Sequence, residues 1–285
     1  LNRGYRSQRE DGGAAVMSDG QRVLLSAEEG GDEACLMARS LPGIPVLVGR
    51  KRALGGRLAV ERFGTQVLIL DDGFQHWQLY RDLDIVLVDG TNPFGNGHVL
   101  PRGILREPME QLGRADAFII TKGDQITQDR AEAIAAKLRQ YNPAAPVAMA
   151  IHKPSSCLAF AAWHDGKGHG SGALQPDGQS VLAISALGNP ASFERTLADA
   201  GFTVAGSLRY EDHHHYSRDD IRHMAARAAE TGCLLVTTEK DAVKLPAPLI
   251  KEYDLPLYVL SITIEFTAGQ DQIDTILQAV LEDKL

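Results

Sequence analysis

Short apolar runs and longer amphipathic stretches follow one another along the chain, and this alternation is typical of an α/β protein. The apolar runs predict strands at residues 67–70, 84–89, 115–121, 147–151, 181–185, 202–208 and 234–238. The amphipathic stretches predict helices at residues 30–40, 130–141, 190–200, 218–231 and 270–283. Because helices separate most of the strands, we expect a parallel sheet flanked by helices.

The chain is long enough for two domains, since about 150 residues per domain is typical. We place a core domain at residues 1–145 and a second, smaller α/β domain at residues 181–262. Residues 146–180 contain a glycine-rich run at 163–172, and we interpret them as a linker with a β-hairpin. A helix within residues 263–285 closes the chain.

Residues 67–76 form the stretch around which the chain is organised. Four apolar residues precede Asp71, Asp72 and a glycine, which predicts a buried parallel strand with two carboxylates at its carboxyl end. Reactive groups of open α/β sheets lie at such ends, and an apolar strand ending in Asp is also the Walker B pattern for Mg²⁺. The alternative is that Asp71 and Asp72 simply turn the chain.

Composition narrows the class of protein. The net charge of −8 over 285 residues argues against a nucleic-acid-binding surface. The three cysteines lack metal-ligand spacing and indicate a reducing compartment. No run approaches the ~18 apolar residues of a membrane span, and no signal peptide is present. Because the chain starts at Leu1 within a strand-like segment, we expect N-terminal sequence to be missing.

Asp32 has two interpretations. It stands where a helix N-cap belongs, just before the apolar face that begins at Cys35. The other interpretation gives its carboxylate a chemical role. The basic run 50–52 likewise suits either a phosphate or an ordinary solvated turn.

The loop 210–216 contains three consecutive histidines. Neighbouring side chains of an extended chain point to opposite sides, so His213, His214 and His215 cannot all bind one metal. We expect one histidine to be oriented by Asp212 or another carboxylate, as an acid–base or positioning group. Ordinary exposed histidines remain the alternative.

Six motifs occur in an order that resembles the tetraacyldisaccharide 4′-kinases of lipid A biosynthesis. They are Asn2–Ser7, Gly31–Ala38, the segment 70–89, Leu105–Pro108, Asp212–His214 and Thr237–Val243. The resemblance covers almost the whole chain. It implies a P-loop NTPase-like sheet and transfer of the γ-phosphoryl of ATP to the 4′-hydroxyl of a lipid disaccharide.

The resemblance also implies roles for particular residues. Asp71 and Asp72 match the Walker B carboxylates that bind Mg²⁺, with Glu107 as a further metal ligand. Asp32 matches the proposed catalytic base and His213 its partner. The remaining matches are Arg106 and Glu107 on the nucleotide side and Gln75 and His76 on the substrate side. The implied location is the cytoplasmic face of the bacterial inner membrane, as a peripheral protein. The oligomeric state stays open.

One departure from the family pattern concerns ATP. The chain contains no Gly-x-x-x-x-Gly-Lys-Ser/Thr loop, whose backbone N–H groups and lysine would hold the phosphates. We therefore expect this chain to be a truncated, inactive form of an ordinary kinase. The alternatives are a non-catalytic homologue that binds lipid or a partner, and a GTPase-like switch indicated by Thr121–Asp124.

Overall fold

A computed structural model describes residues 1–5, 7, 13–166 and 173–284. Residues outside these ranges include Arg6 of the Asn2–Ser7 motif, residues 8–12 and most of the glycine-rich run at 163–172.

Nine strands and ten α-helices are formed by the described residues. The strands are β1 (Ala15–Asp19), β2 (Pro45–Val48), β3 (Ile85–Asp89), β4 (Ala117–Thr121), β5 (Val147–Ala159), β6 (Ser180–Ser185), β7 (Thr203–Arg209), β8 (Leu234–Thr238) and β9 (Leu257–Ala268). The helices are α1 (Ala27–Gly30), α2 (Asp32–Ser40), α3 (Arg52–Phe63), α4 (Gln128–Tyr141), α5 (Phe160–His164), α6 (Pro190–Asp199), α7 (Arg218–Thr231), α8 (Glu239–Ala242), α9 (Ala247–Glu252) and α10 (Gln270–Lys284). Short 3₁₀ helices occupy Met109–Arg114 and Gly123–Gln125.

Seven strands form one mostly parallel sheet in the order β3-β4-β5-β9-β8-β6-β7, and β1 and β2 form a separate antiparallel pair. The predicted α/β class with a parallel sheet flanked by helices is confirmed. Among the described residues, no helix combines the length and the apolar character that crossing a bilayer requires.

The chain forms two compact units. The first unit joins residues 1–73 to residues 154–262, and the second joins residues 74–153 to residues 263–285. Each unit is assembled from two separated segments because the long strands β5 and β9 contribute residues to both. The domain limits at 145, 180 and 262 stay a sequence prediction.

The first unit has its core on the faces of β6, β8 and β9, which pair in parallel. Fully buried apolar side chains such as Leu182, Ile184, Leu235 and Val259 fill one of these faces. A second cluster joins β1 and β2 to α2 and includes Met17 and Cys35, with Val243 packed against it. This second cluster holds α2 next to the segment that follows α8.

The second unit contains β3, β4 and the first part of β5, paired in parallel. Phe118 and Ile120 of β4 pack on Leu138 of α4, and Ala148 of β5 packs with Ile273 of α10. The continuous apolar pattern of β4 follows from burial on both faces of a parallel sheet.

Helix α3 was not predicted from the sequence. Its interior contains Gly55 and Gly56, which weaken the helical signal because glycine is a poor helix former. Both glycines are buried, and a Cβ at either position would come within 3.3 Å of Leu1 or 3.2 Å of Leu68 respectively. The glycines therefore make room for side chains that approach the helix closely.

The prediction of a buried strand at residues 67–70 is wrong. These residues are extended but form no sheet strand, and Ile69 is 80% exposed. The backbone bonds recorded here run to Leu1, whose amino group donates to Ile69 O and whose carbonyl accepts from Asp71 N–H. An apolar run becomes a buried strand only where neighbours cover it, and a local pattern does not reveal its neighbours.

Candidate active site

Asp32 stands at the first position of α2. The predicted N-cap is displaced by one residue, since the cap is Gly31 with φ 97° and Asp32 is already helical. The Asp32 Oδ1 atom accepts a hydrogen bond from Glu33 N–H at 2.9 Å, and the residue is 8% exposed. A buried carboxylate is stabilised by the positive end of the helix dipole at this place. The hydrogen bond at the start of the helix therefore uses Oδ1 of Asp32 and not its second oxygen, Oδ2.

His213 lies in a tight turn between β7 and α7. His214 N–H donates to Glu211 O at 3.0 Å, and His213 takes φ 64°, which is unusual for a residue with a side chain. Backbone strain of this kind persists only where the surrounding structure holds it, and it clusters at functional sites. The turn fixes the direction of the His213 ring.

The Asp32 carboxylate and the His213 ring form a close pair. Asp32 Oδ2 lies 2.9 Å from His213 Nδ1, and the opposite ring nitrogen, Nε2, lies 3.8 Å from Asp212 Oδ2. The Tyr5 ring meets the His213 ring edge-on, with centroids 5.8 Å apart. Of the three consecutive histidines, His213 is the one that the structure brings to Asp32.

Of the other two histidines of the run, His214 has a different partner, and His215 borders a cavity that His213 also lines. His214 Nε2 lies 3.0 Å from Asp220, a capping-box residue of α7, and its ring stacks on Tyr210. His215 is exposed. Among the residues that the structure describes, no group of three or more His, Cys, Asp or Glu side chains is arranged to hold a metal.

The Asp32–His213 pair opens on a cavity of about 240 Å³ within the first unit. Tyr5, Ser26, Gly31 and Lys244 contribute to its wall. Glu28 and His215 also line it, so the cavity wall presents two carboxylates, two imidazoles, two hydroxyls and an ammonium group. Such a set can accept a proton from a bound hydroxyl and balance the charge that results.

Two lysines stand beside the pair. Lys240 Nζ lies 3.3 Å from Glu33 and 3.6 Å from Asp212. Burial lowers the pKa of Lys240, but the negative charges of Glu33, Asp212 and Asp32 outweigh this effect and the pKa is raised. Lys244 Nζ lies 4.0 Å from Asp32 Oδ2. Neither lysine was singled out in the sequence.

Asp71 and Asp72 follow the extended segment and form a turn. Asn2 Nδ2 donates to Asp71 Oδ2 at 2.5 Å, and Asp72 takes φ 50°. Asp71 is half-buried and Asp72 is exposed. Asp71 and Asp72 therefore both turn the chain and present carboxylates.

Arg52 is a buried cation close to these aspartates. It is 4% exposed, and its guanidinium donates to Gly49 O at 2.8 Å and to Asp71 O at 3.3 Å. Burial lowers the pKa of Arg52, and the charges of Asp71 and Asp72 oppose that shift. Arg50 and Lys51 are exposed. The interpretation of the basic run 50–52 as a solvated turn is therefore wrong for Arg52, because the fold buries this residue.

The Asn2–Tyr5 segment contacts Asp71 and also His213, the partner of Asp32. Asn2 binds Asp71, Gly4 N–H donates back to Asn2 Oδ1 at 2.6 Å, and Tyr5 meets His213. A Cβ at Gly31 would lie 3.4 Å from the Gly4 backbone, so the segment passes close to the start of α2. The motif that begins the sequence is therefore part of the site.

The second unit holds the other residues predicted for the site. Glu107 Oε2 lies 2.9 Å from Arg114 Nη2, and Arg114 also donates to Phe74 O at 3.1 Å. The Arg114 guanidinium lies over the rings of Phe74 and Trp77, 4.3 Å and 4.0 Å from their centroids. Arg114 thus joins Glu107 to the Phe74–Trp77 segment.

Gln75 and His76 lie within that segment and are both half-buried. Arg81 donates to His76 O at 2.7 Å and pairs with both oxygens of Asp84. Two arginines, Arg81 and Arg114, therefore fix the backbone on either side of Gln75. Arg106 is exposed.

The fold and this site define an α/β protein with a carboxylate–histidine pair at the wall of a polar cavity. The model of the family described as tetraacyldisaccharide-1-P 4′-kinase (LpxK) matches residues 1–282. The chain belongs to this family, whose members are kinases.

Relatives and a solved structure agree with this assignment. A tetraacyldisaccharide 4′-kinase of Halothermothrix orenii is 39% identical over 279 residues, which are 95% of this chain and 73% of the relative. The corresponding kinase of Anaeromyxobacter dehalogenans is 43% identical over 97% of this chain and 71% of the relative. The crystal structure of "apo" form LpxK from Aquifex aeolicus in complex with ATP has a TM-score of 0.70 and 27% identity, and the match covers 98% of this chain and 78% of that one.

Proposed function

We propose that the protein transfers the γ-phosphoryl group of ATP to the 4′-hydroxyl of a tetraacylated glucosamine disaccharide 1-phosphate. Family membership supports the substrate, and the Asp32–His213 pair supports the chemistry. The 4′-oxygen forms a bond to the γ-phosphorus, the bond from that phosphorus to the β–γ bridging oxygen breaks, and ADP leaves.

Asp32 takes the proton of the 4′-hydroxyl in this proposal. Its Oδ2 atom faces His213 and its residue lines the cavity, so a hydroxyl that enters the cavity can reach the carboxylate. His213 orients the carboxylate through Nδ1 and shares the proton that arrives. A positioned general base of this kind contributes roughly 10²–10⁴-fold to a rate.

Asp71 and Asp72 are the proposed Mg²⁺ ligands. Carboxylate oxygens are the ligands that Mg²⁺ prefers, and it is commonly held by only one or two carboxylates together with phosphates. The chemistry of this donor set therefore fits the ion, which would neutralise charge on the phosphates when bound. Asn2 fixes one oxygen of Asp71, and the Arg52 guanidinium offsets the charge of both aspartates.

Residues of the second unit have proposed binding roles. Arg106 and Glu107 serve the nucleotide, with Glu107 as a further metal ligand, and Gln75 and His76 serve the lipid substrate. The arginine contacts that hold Glu107 and the Phe74–Trp77 segment support a preformed surface at these residues.

The experiment is a phosphoryl-transfer assay with ATP and the purified disaccharide, in which product is measured by mass spectrometry. Asp32→Asn should lower kcat at least about 100-fold, since it removes the base but keeps the shape. His213→Gln should lower kcat by a smaller factor. Asp199→Asn and His223→Gln, at exposed positions of the same unit, are matched controls. An Asp32→Asn enzyme of parental activity would refute the proposal.

We propose that the protein acts at a membrane surface. An acylated disaccharide resides in a bilayer, so the enzyme must meet it at the cytoplasmic face of the inner membrane. Flotation with vesicles of phosphatidylglycerol and phosphatidylethanolamine, with and without the disaccharide, tests this. Lack of co-flotation in both cases would contradict a peripheral location.

Nucleotide binding tests the remaining expectations. The prediction that a chain without a Gly-Lys-Ser/Thr loop binds ATP poorly stays a prediction, and calorimetric titration of this chain with ATP measures it. Competition between ATP and GTP tests the GTPase-like alternative. At Thr121–Asp124, the loop behind that alternative, Lys122 Nζ lies 2.6 Å from Asp89 Oδ2.

A further inference from the structure

Lys244 is a buried cation that the proposed chemistry has not used. Its side chain is 4% exposed, and it follows α8 at the wall of the cavity that Asp32 and His213 line. Its Nζ atom has no hydrogen-bond partner of acceptable geometry among the described residues. A buried ammonium group is costly unless nearby charges compensate it.

Two carboxylates supply that compensation. Asp241 Oδ1 lies 2.9 Å from Lys244 Nζ and Asp32 Oδ2 lies 4.0 Å from it, while the Tyr216 ring centroid is 5.7 Å away. Asp241 is fully buried. The Lys244 ammonium group therefore lies between the carboxylate of Asp241 and that of Asp32, the proposed base.

Asp241 has a structural role in the fold. Its Oδ2 atom accepts from Ala186 N–H at 3.1 Å and from the Thr238 hydroxyl at 2.8 Å. These bonds tie the start of α8 to the end of β6. Asp241 therefore fixes the position of Lys244, whereas Asp32 is the acid whose charge Lys244 can affect at the cavity.

We propose that Lys244 is a positioning residue for phosphoryl transfer, which keeps the Asp32 carboxylate turned toward His213 and the bound hydroxyl. This inference rests on the proposed function. Without the attraction of the Lys244 ammonium group, the Asp32 carboxylate would turn away from His213. The charged and titratable groups near the Asp32–His213 pair are Tyr5, Glu28, Glu33, Cys35, Asp212, His215, Lys240, Asp241 and Lys244.

The test uses protein expressed from its complete gene. Lys244→Met removes the charge but leaves Asp241 buried and uncompensated, so it can fail by misfolding. The double variant Lys244→Met/Asp241→Asn removes both charges, and Asn keeps an oxygen for the Ala186 and Thr238 donors. Lys251→Met, at an exposed position of α9, is the matched control.

We expect the double variant to keep the parental melting temperature within a few degrees and the KM values within about threefold. Its kcat should fall about tenfold to 100-fold, as expected when a reacting group is misplaced. Parental kcat in the double variant would overturn the proposal, because Lys244 would then serve only to neutralise Asp241.

A second readout does not need turnover. In protein labelled with ¹⁵N-histidine, the His213 ring signals are identified by their loss in His213→Gln. Their chemical shifts should change in the double variant, because a displaced Asp32 carboxylate weakens the contact of its Oδ2 atom with His213 Nδ1. If the parent phosphorylates no lipid, the proposed function fails, and this comparison alone decides the role of Lys244. His213 ring shifts identical to those of the parent would overturn that role.

Discussion

Asp32 Oδ2 and His213 Nδ1 lie 2.9 Å apart although 181 residues separate them in the sequence. The first atom belongs to the opening residue of a helix and the second to a residue with φ 64° in a turn. Since neither conformation depends on the other locally, the tertiary fold must hold both in place.

Gly31→Ala should destabilise the protein. Gly31 has φ 97° and ψ 147°, a backbone region that is essentially restricted to glycine and costs a residue with a Cβ about 1–3 kcal/mol. A Cβ would also come into contact with the Gly4 backbone at 3.4 Å. We expect the free energy of unfolding, measured with urea, to fall by at least that amount.

Two alanine controls separate strain from contact. Gly64 has a positive φ of 61°, but a Cβ at this position would meet nothing within 4 Å. Gly64→Ala should therefore show the effect of backbone strain alone. Gly13→Ala has open space and should be close to neutral. Equal stability of the Gly31→Ala variant and its parent would contradict the close approach of the two segments.

Arg52→Met should be more harmful than its neighbour Arg50→Met. The Arg52 guanidinium is the donor to Gly49 O and Asp71 O, and buried acceptors left without a donor cost about 1–3 kcal/mol. Arg50 is exposed, so its replacement should change the free energy of unfolding by less than about 0.5 kcal/mol. Urea denaturation of both variants measures the difference, and equal losses would refute a special role for Arg52.

Asp72→Asn should raise the Mg²⁺ concentration needed for half-maximal phosphoryl transfer. Removing one negative oxygen donor weakens binding of a hard cation such as Mg²⁺. Asp19→Asn, another aspartate of the same unit, serves as the control. Titration of activity with Mg²⁺ at saturating ATP gives the comparison. A requirement unchanged from that of the parent would argue against Asp72 as a ligand.

The Asp89–Lys122 pair should make the second unit sensitive to acid. Burial raises the pKa of Asp89, but bonds from Lys122 and Thr91 outweigh burial and lower the pKa below its ordinary value of 3.8. The folded state then binds fewer protons than the unfolded state. The stabilisation is complete above about pH 5 and is lost progressively as the pH falls through the folded pKa.

Asp89→Asn should therefore remove part of the stability loss seen between pH 5 and pH 3. Urea denaturation at several pH values measures this loss in the parent and in the variant. Asp274→Asn, at an exposed position of α10, is the control and should keep the parental slope. A variant as acid-sensitive as the parent would show that Asp89 contributes nothing.

The sequence by itself determined the class of fold and most of its elements. Helix α7 and strand β8 occupy the predicted residues, and Ser217 and Asp220 form a capping box at the start of α7. Such features depend on local periodicity and on side chains three residues apart, so the sequence shows them directly. The resemblance of six ordered motifs also identified the kinase family, which the family match confirms.

Only the tertiary structure decided which side chains meet. It selected His213 from three adjacent histidines, buried Arg52 beside exposed Arg50, and brought Lys244 to Asp32. It also left residues 67–69 exposed although the apolar pattern of residues 67–70 resembles a core strand. Burial and charge pairing depend on neighbours distant in the sequence, and a local pattern does not contain that information.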